Sequence, residues 1–154
     1  MTVKVGDLAK SFTLKDQHGK DISLKDYSGK KILLSFHPLA WTKVCAQQME
    51  SLEEKKEEFD QLNTIAFGIS VDSVPCKKAW AKSLNIEHTQ LLCDFWKHGE
   101  VAKLYGIFIE ENGTSERANI IIDENQKVSF VKIYPISQLP DIEEILTALG
   151  GSNN

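Results

Sequence analysis

Apolar and polar positions fall along this chain in two periods, and the alternation between them predicts its elements. Phe12 to Leu24 carries two alternating segments around His18-Gly19 and predicts a β-hairpin. Ser28-Gly29 marks a second turn, which leads into an apolar run from Ile32 to His37. Pro38 ends that strand, because proline has no N–H for a ladder and disfavours helical backbone in the residue before it. Ala46 to Asp60 reads as a helix, with Cys45, Met49, Leu52, Lys56 and Phe59 on one face. The charged run Glu53 to Glu58 reads as its solvated face, and Lys56 snorkels from the edge of the stripe.

Thr64 to Val71 is nearly all apolar and suits a central strand covered on both sides. Asp72 or Ser73 caps a helix from Cys76 to Leu84, with Pro75 near its first turn. Leu91-Leu92 predicts a short extended piece, Glu100 to Leu104 a short helix ending near Gly106, and Glu111-Asn112-Gly113 a turn. Ala118 to Asp123 and Lys127 to Tyr134 form a second hairpin across Glu124-Asn125-Gln126. Leu139 to Leu149 is a closing helix ended by Gly150-Gly151. This order predicts a single α/β domain over residues 1–154, with a mixed central sheet, flanking helices and an N-terminal β-hairpin.

Composition narrows the classes of function. A net charge of −4 without a basic block argues against nucleic acid and anionic membrane surfaces. No apolar run approaches the ~20 residues of a membrane span, and Met1 to Gly6 lacks the apolar segment of a signal peptide. Three cysteines are an odd count, too sparse for a disulfide scaffold, and fit a reducing cytoplasm. The cysteines and four histidines show neither C-x-x-C nor H-x-x-x-H spacing, so neither metal nor cofactor is expected.

The chemistry concentrates after the Ile32–His37 strand. Thr42 is an N-cap candidate, which makes Lys43, Val44 and Cys45 the first helical residues. The Cys45 sulfur then lies over backbone N–H groups without carbonyl partners, at the positive end of the helix dipole. That position favours thiolate, the nucleophilic form. On spacing alone a cysteine at the start of an amphipathic helix is more often a packing residue than a reactive one.

Pro38-x-x-x-Thr42-x-x-Cys45, after an apolar strand and opening a helix, resembles the active-site motif of the peroxiredoxins. The resemblance also takes in the N-terminal hairpin, Ile69-Ser70-Val71-Asp72-Ser73, Asp94-Phe95-Trp96, and Arg117 heading a strand. The pattern is most similar to the short one-cysteine type of bacteria and archaea. It implies a thioredoxin-like fold and reduction of hydrogen peroxide or organic hydroperoxides through a Cys45 sulfenic acid. It also implies Arg117 beside the sulfur, the Thr42 hydroxyl on the peroxide, and Pro38 walling off water. Gln48 is then a supporting residue that orients Arg117, and His37 a second supporting candidate.

Recycling departs from many relatives, which carry a resolving cysteine five residues after the first; Glu50 stands there. The chain also ends soon after Leu149, without the C-terminal extension of the typical two-cysteine class. Cys76 is a candidate resolving residue, since a helix start favours its thiolate too, but a Cys45–Cys76 disulfide needs the first turn of the Cys45 helix to unwind. Cys93 reads as buried and structural. The favoured reading is a one-cysteine cycle with an external thiol reductant, such as a thioredoxin- or glutaredoxin-like donor. A thiol-disulfide oxidoreductase is the competing enzyme, although Cys45-Ala46-Gln47-Gln48 lacks its second sulfur. A thioredoxin-fold binding protein or holdase would tolerate loss of Cys45. Family members often pair, so a homodimer is expected, and Phe36, Trp41, Trp80 and Trp96 are candidates for its face or for the core.

Overall fold

A computed structural model describes residues 1–150. The N-terminal hairpin forms as β1 (Thr13–Lys15) and β2 (Asp21–Ser23). β3 (Lys31–Phe36) and β4 (Thr64–Ser70) then pair in parallel. Between them lie α1 (Lys43–Glu54) and α2 (Lys56–Gln61). After β4 come α3 (Val74–Ser83), β5 (Gln90–Cys93) and α4 (Glu100–Leu104). A small hairpin, β6 (Phe108–Ile109) and β7 (Thr114–Ser115), precedes β8 (Arg117–Ile122), β9 (Val128–Tyr134) and α5 (Ile142–Ala148).

Seven strands make one mixed sheet in the order β2-β1-β5-β4-β3-β8-β9. β4 is the middle strand, and β3 beside it runs parallel to β4 and antiparallel to β8. The alternate side chains of β3 feed opposite layers. Ile32, Leu34 and Phe36 join a core with Phe67, Ile120 and Tyr105. Leu33 faces Met49, Leu52, Trp80 and Ile145 on the other side. α1 lies very close to the sheet because β4 carries Gly68 beneath it: an added Cβ there would stand 2.2 Å from the Met49 sulfur. The close approach fixes the helix that carries Cys45.

Several boundaries differ from the sequence reading for identifiable reasons. The single helix expected to Asp60 breaks at Lys55, whose backbone leaves helical values with ψ at 17°. Glu53 is not on a solvated face. Its carboxylate accepts the backbone N–H groups of Glu87, His88 and Thr89 and the Thr89 hydroxyl. Burial pushes its carboxyl up, but these donors together outweigh it and hold the group at about 2. The closing helix starts later than expected because Asp141 caps it, accepting from the Glu143 N–H at 3.0 Å. Of the Gly150-Gly151 stop, Gly151 lies outside the described residues. Phe36 and Trp80, offered as interface residues, are buried in the two core layers, whereas Trp41 and Trp96 are exposed. No helix among the described residues is long and apolar enough to cross a membrane.

Candidate active site

The site is built at the end of β3. The His37 N–H still donates to Ile69 O at 3.0 Å, and then Pro38 turns the chain off the sheet. The connection into α1 is pinned by Asp72, whose Oδ2 accepts the Ala40 N–H at 2.8 Å. Trp41 takes a left-handed conformation at φ 69°. Thr42 occupies the N-cap position, but its hydroxyl donates to Leu39 O at 2.7 Å rather than accepting from the helix. The start of α1 therefore has no side-chain acceptor.

Cys45 is buried at the bottom of a shallow pocket of about 280 Å³. Pro38, Thr42, Val44, Arg117 and Ile136 line it with the sulfur. Arg117 Nη1 donates to Cys45 Sγ at 3.3 Å and to Gln48 Oε1 at 2.7 Å. The other edge of the guanidinium, Nε and Nη2, donates to Ile136 O at 2.9 and 2.7 Å. A planar cation held on two sides keeps one donor aimed at sulfur.

Behind it runs a polar chain through the sheet. Gln48 Nε2 donates to Ser35 Oγ at 2.7 Å and to Phe36 O at 3.1 Å, and Ser35 Oγ donates to Asn119 Oδ1 at 2.7 Å. Ser35 and Asn119 face each other in the β3–β8 register. Asn119 Nδ2 donates to the Tyr134 hydroxyl at 3.4 Å. The structure thus brings together Pro38, Thr42, Cys45, Gln48 and Arg117. Ser35, Asn119 and Ile136 were missed from the sequence. The first two had a signal, each being a polar residue inside an otherwise apolar strand.

His37 and Cys76 stand differently. His37 is fully buried, its Nε2 facing Lys77 Nζ and its ring against Trp80, with no hydrogen bond to Cys45. Burial, and then the Lys77 charge, push its imidazole well below the usual range, so it is neutral. The expectation that a helix start favours a Cys76 thiolate is corrected by its neighbours. Cys76 Sγ lies 3.6 Å from Asp72 Oδ1, and burial together with that carboxylate pushes the thiol up. Cys93 is buried as expected, and burial pushes it up to about 12. All three cysteines are unpaired, and no cluster of metal-binding side chains occurs among the described residues.

Comparison with known proteins gives a consistent picture. The model of the AhpC/TSA family matches residues 5–131. Alkyl hydroperoxide reductase E of Mycobacterium tuberculosis is 34% identical over 140 residues, covering 90% of this chain and 91% of that protein. A peroxiredoxin of Thermoplasma volcanium is 34% identical over 155 residues, covering 97% of this chain and 74% of its own. Among solved structures, the reduced 2-Cys peroxiredoxin of Plasmodium vivax superposes with a TM-score of 0.88 at 27% identity, covering 96% of this chain and 81% of that one. Peroxidoxin BcpB of Mycobacterium tuberculosis gives 0.85 at 25% identity, with 96% and 97% covered.

Proposed function

Because this chain belongs to the AhpC/TSA family and is a thiol-dependent peroxidase of thioredoxin-like fold, we propose that Cys45 is its peroxidatic residue. The observation that carries this is the 3.3 Å hydrogen bond from Arg117 Nη1 to Cys45 Sγ. The Cys45 thiolate attacks one peroxide oxygen; the S–O bond forms as the O–O bond breaks, and hydroxide or alkoxide leaves and takes up a proton. Arg117, fixed by Gln48 and Ile136 O, offers its donor to the negative charge that moves from sulfur to the leaving oxygen. Thr42 Oγ1 spends its proton on Leu39 O, so its lone pairs are free to accept from the peroxide. Pro38 forms the pocket wall and limits water at the sulfenic acid.

An external thiol completes the cycle. One thiol condenses with the sulfenic acid to give a mixed disulfide and water, and a second releases Cys45 and carries away the disulfide. A thioredoxin- or glutaredoxin-like protein is the donor class. Cys76 sits poorly for resolving, its thiol held un-ionised beside Asp72. Three unpaired cysteines support a cytoplasmic location, and exposed Leu39, Trp41 and Ile136 near the pocket support a homodimer. The test is peroxide consumption with dithiothreitol by wild type and by Cys45→Ser. Activity confined to wild type is expected, and equal activity in both would overturn the assignment.

A further inference from the structure

Lys77 lies in the first turns of α3 and is fully buried. Among the described residues its ammonium has one hydrogen-bond partner, His37, Nζ to Nε2 at 2.5 Å, a separation with room for one hydrogen. His37 Nδ1 faces Ser35 O at 3.3 Å. A carbonyl only accepts, so Nδ1 carries the imidazole proton and Nε2 accepts from Lys77. Trp80 completes the nest, its ring centroid 4.9 Å from Nζ and 5.5 Å from the His37 ring. Among the described residues no carboxylate lies within ion-pair distance of Lys77. Asp72, the acid that acts on it electrostatically, has its oxygens committed to Ala40 N, Ser70 Oγ and Cys76 Sγ.

A buried ammonium that rests on an imidazole and an indole face, with no counter-carboxylate, is costly for structure alone. Its surroundings give it a use. The groups that face it electrostatically are His37 at the end of β3, Asp72 before α3, Cys76 on α3, Cys45 on α1 and Cys93 on β5; Arg117 on β8 acts on His37. Negative charge appears in this neighbourhood only when Cys45 ionises and reacts, apart from Asp72.

Resting on Cys45 as the reacting sulfur, we propose that Lys77 is a positioning residue of the peroxidase reaction. Held by neutral His37, its ammonium supplies a second, buried positive charge within electrostatic reach of Cys45, while Arg117 acts by direct contact. The same bond ties α3 to the residue before Pro38 and so steadies the turn that delivers Thr42 and Cys45.

The sign of the pH effect distinguishes this role from a purely structural one. Burial lowers Lys77 to about 8, partly offset by Asp72 and the thiols, so its charge is present below that pH and is lost above it. Burial and Asp72 push Cys76 up, burial takes Cys93 to about 12, and His37 is neutral throughout, so none of them titrates in this window.

The experiment is single-turnover reduction of hydrogen peroxide across pH for wild type, Lys77→Met and Cys45→Ser, with circular dichroism to verify folding. Wild type is expected to slow as pH rises through about 8. Lys77→Met is expected to be about tenfold slower at neutral pH and to lack that fall. A folded Lys77→Met whose rates superpose on wild type would overturn the proposal. Should that variant not fold, the wild-type profile decides alone, and the absence of a fall through this range would overturn it. Cys45→Ser separates the two claims. An inactive Cys45→Ser beside an unaffected Lys77→Met sinks only the Lys77 role, whereas an active Cys45→Ser sinks both.

Discussion

Cys45 and Cys76 occupy the same place in two different helices. Each is the third residue after an N-cap, Thr42 for α1 and Ser73 for α3, and each carries the same dipole argument for a thiolate. Their surroundings differ. Cys45 meets the Arg117 guanidinium at 3.3 Å, whereas Cys76 meets the Asp72 carboxylate at 3.6 Å and its thiol is pushed up. Even the caps diverge. Ser73 Oγ accepts the Cys76 N–H, while the Thr42 hydroxyl turns away to Leu39 O and leaves the α1 start open to the pocket. A helix start sets a modest bias, and on the proposed reading the charge placed opposite by tertiary structure decides which sulfur reacts.

Four substitutions break or sharpen this contrast. Removing the nucleophile has the largest effect: Cys45→Ser is expected to lose peroxide turnover by about a thousandfold or more, read as peroxide consumption with excess dithiothreitol. Arg117→Met removes the donor facing sulfur and is expected to slow single-turnover oxidation by about a hundredfold while Cys45 remains alkylatable. Asp72→Asn should narrow the contrast from the other side. With the carboxylate charge gone, iodoacetamide labelling of Cys76 at mildly alkaline pH is expected to rise about several-fold, because one of the two causes that push its thiol up is removed. Unchanged labelling would show that burial alone holds that thiol back. Cys76→Ser is expected to change turnover by no more than about twofold with a small-thiol reductant. A collapse of turnover in that variant would promote Cys76 to resolving residue.

The parts of the site that a sequence displays are those made locally. Pro38, Thr42 and Cys45 lie within one turn-and-helix segment whose spacing is fixed by backbone geometry, so their mutual placement was readable. Arg117 at a strand start and Gln48 one helical turn beyond Cys45 were readable through the same motif. Ser35 and Asn119 meet only because β3 and β8 pair in one register, and a register between strands 84 residues apart is not written in either strand. Ile136 contributes a backbone carbonyl, for which side-chain identity carries no signal. Glu53 misled, and Lys77 carried no signal, for a common reason. Each is a charged helical residue taken inward by a partner far along the chain, which no local window contains. The strands and most helices followed from periodicity, while the break at Lys55 and the added β6–β7 hairpin depend on packing that no short window contains.

The central claim is that Cys45, and not its twin on α3, is the sulfur that meets peroxide. The most direct measurement treats the reduced protein with one equivalent of hydrogen peroxide in the presence of a sulfenic-acid trap, followed by intact mass and peptide mapping. A single adduct on Cys45, with Cys76 and Cys93 recovered as free thiols, is the result predicted. Rapid trapping at Cys76 with Cys45 unmodified would contradict it.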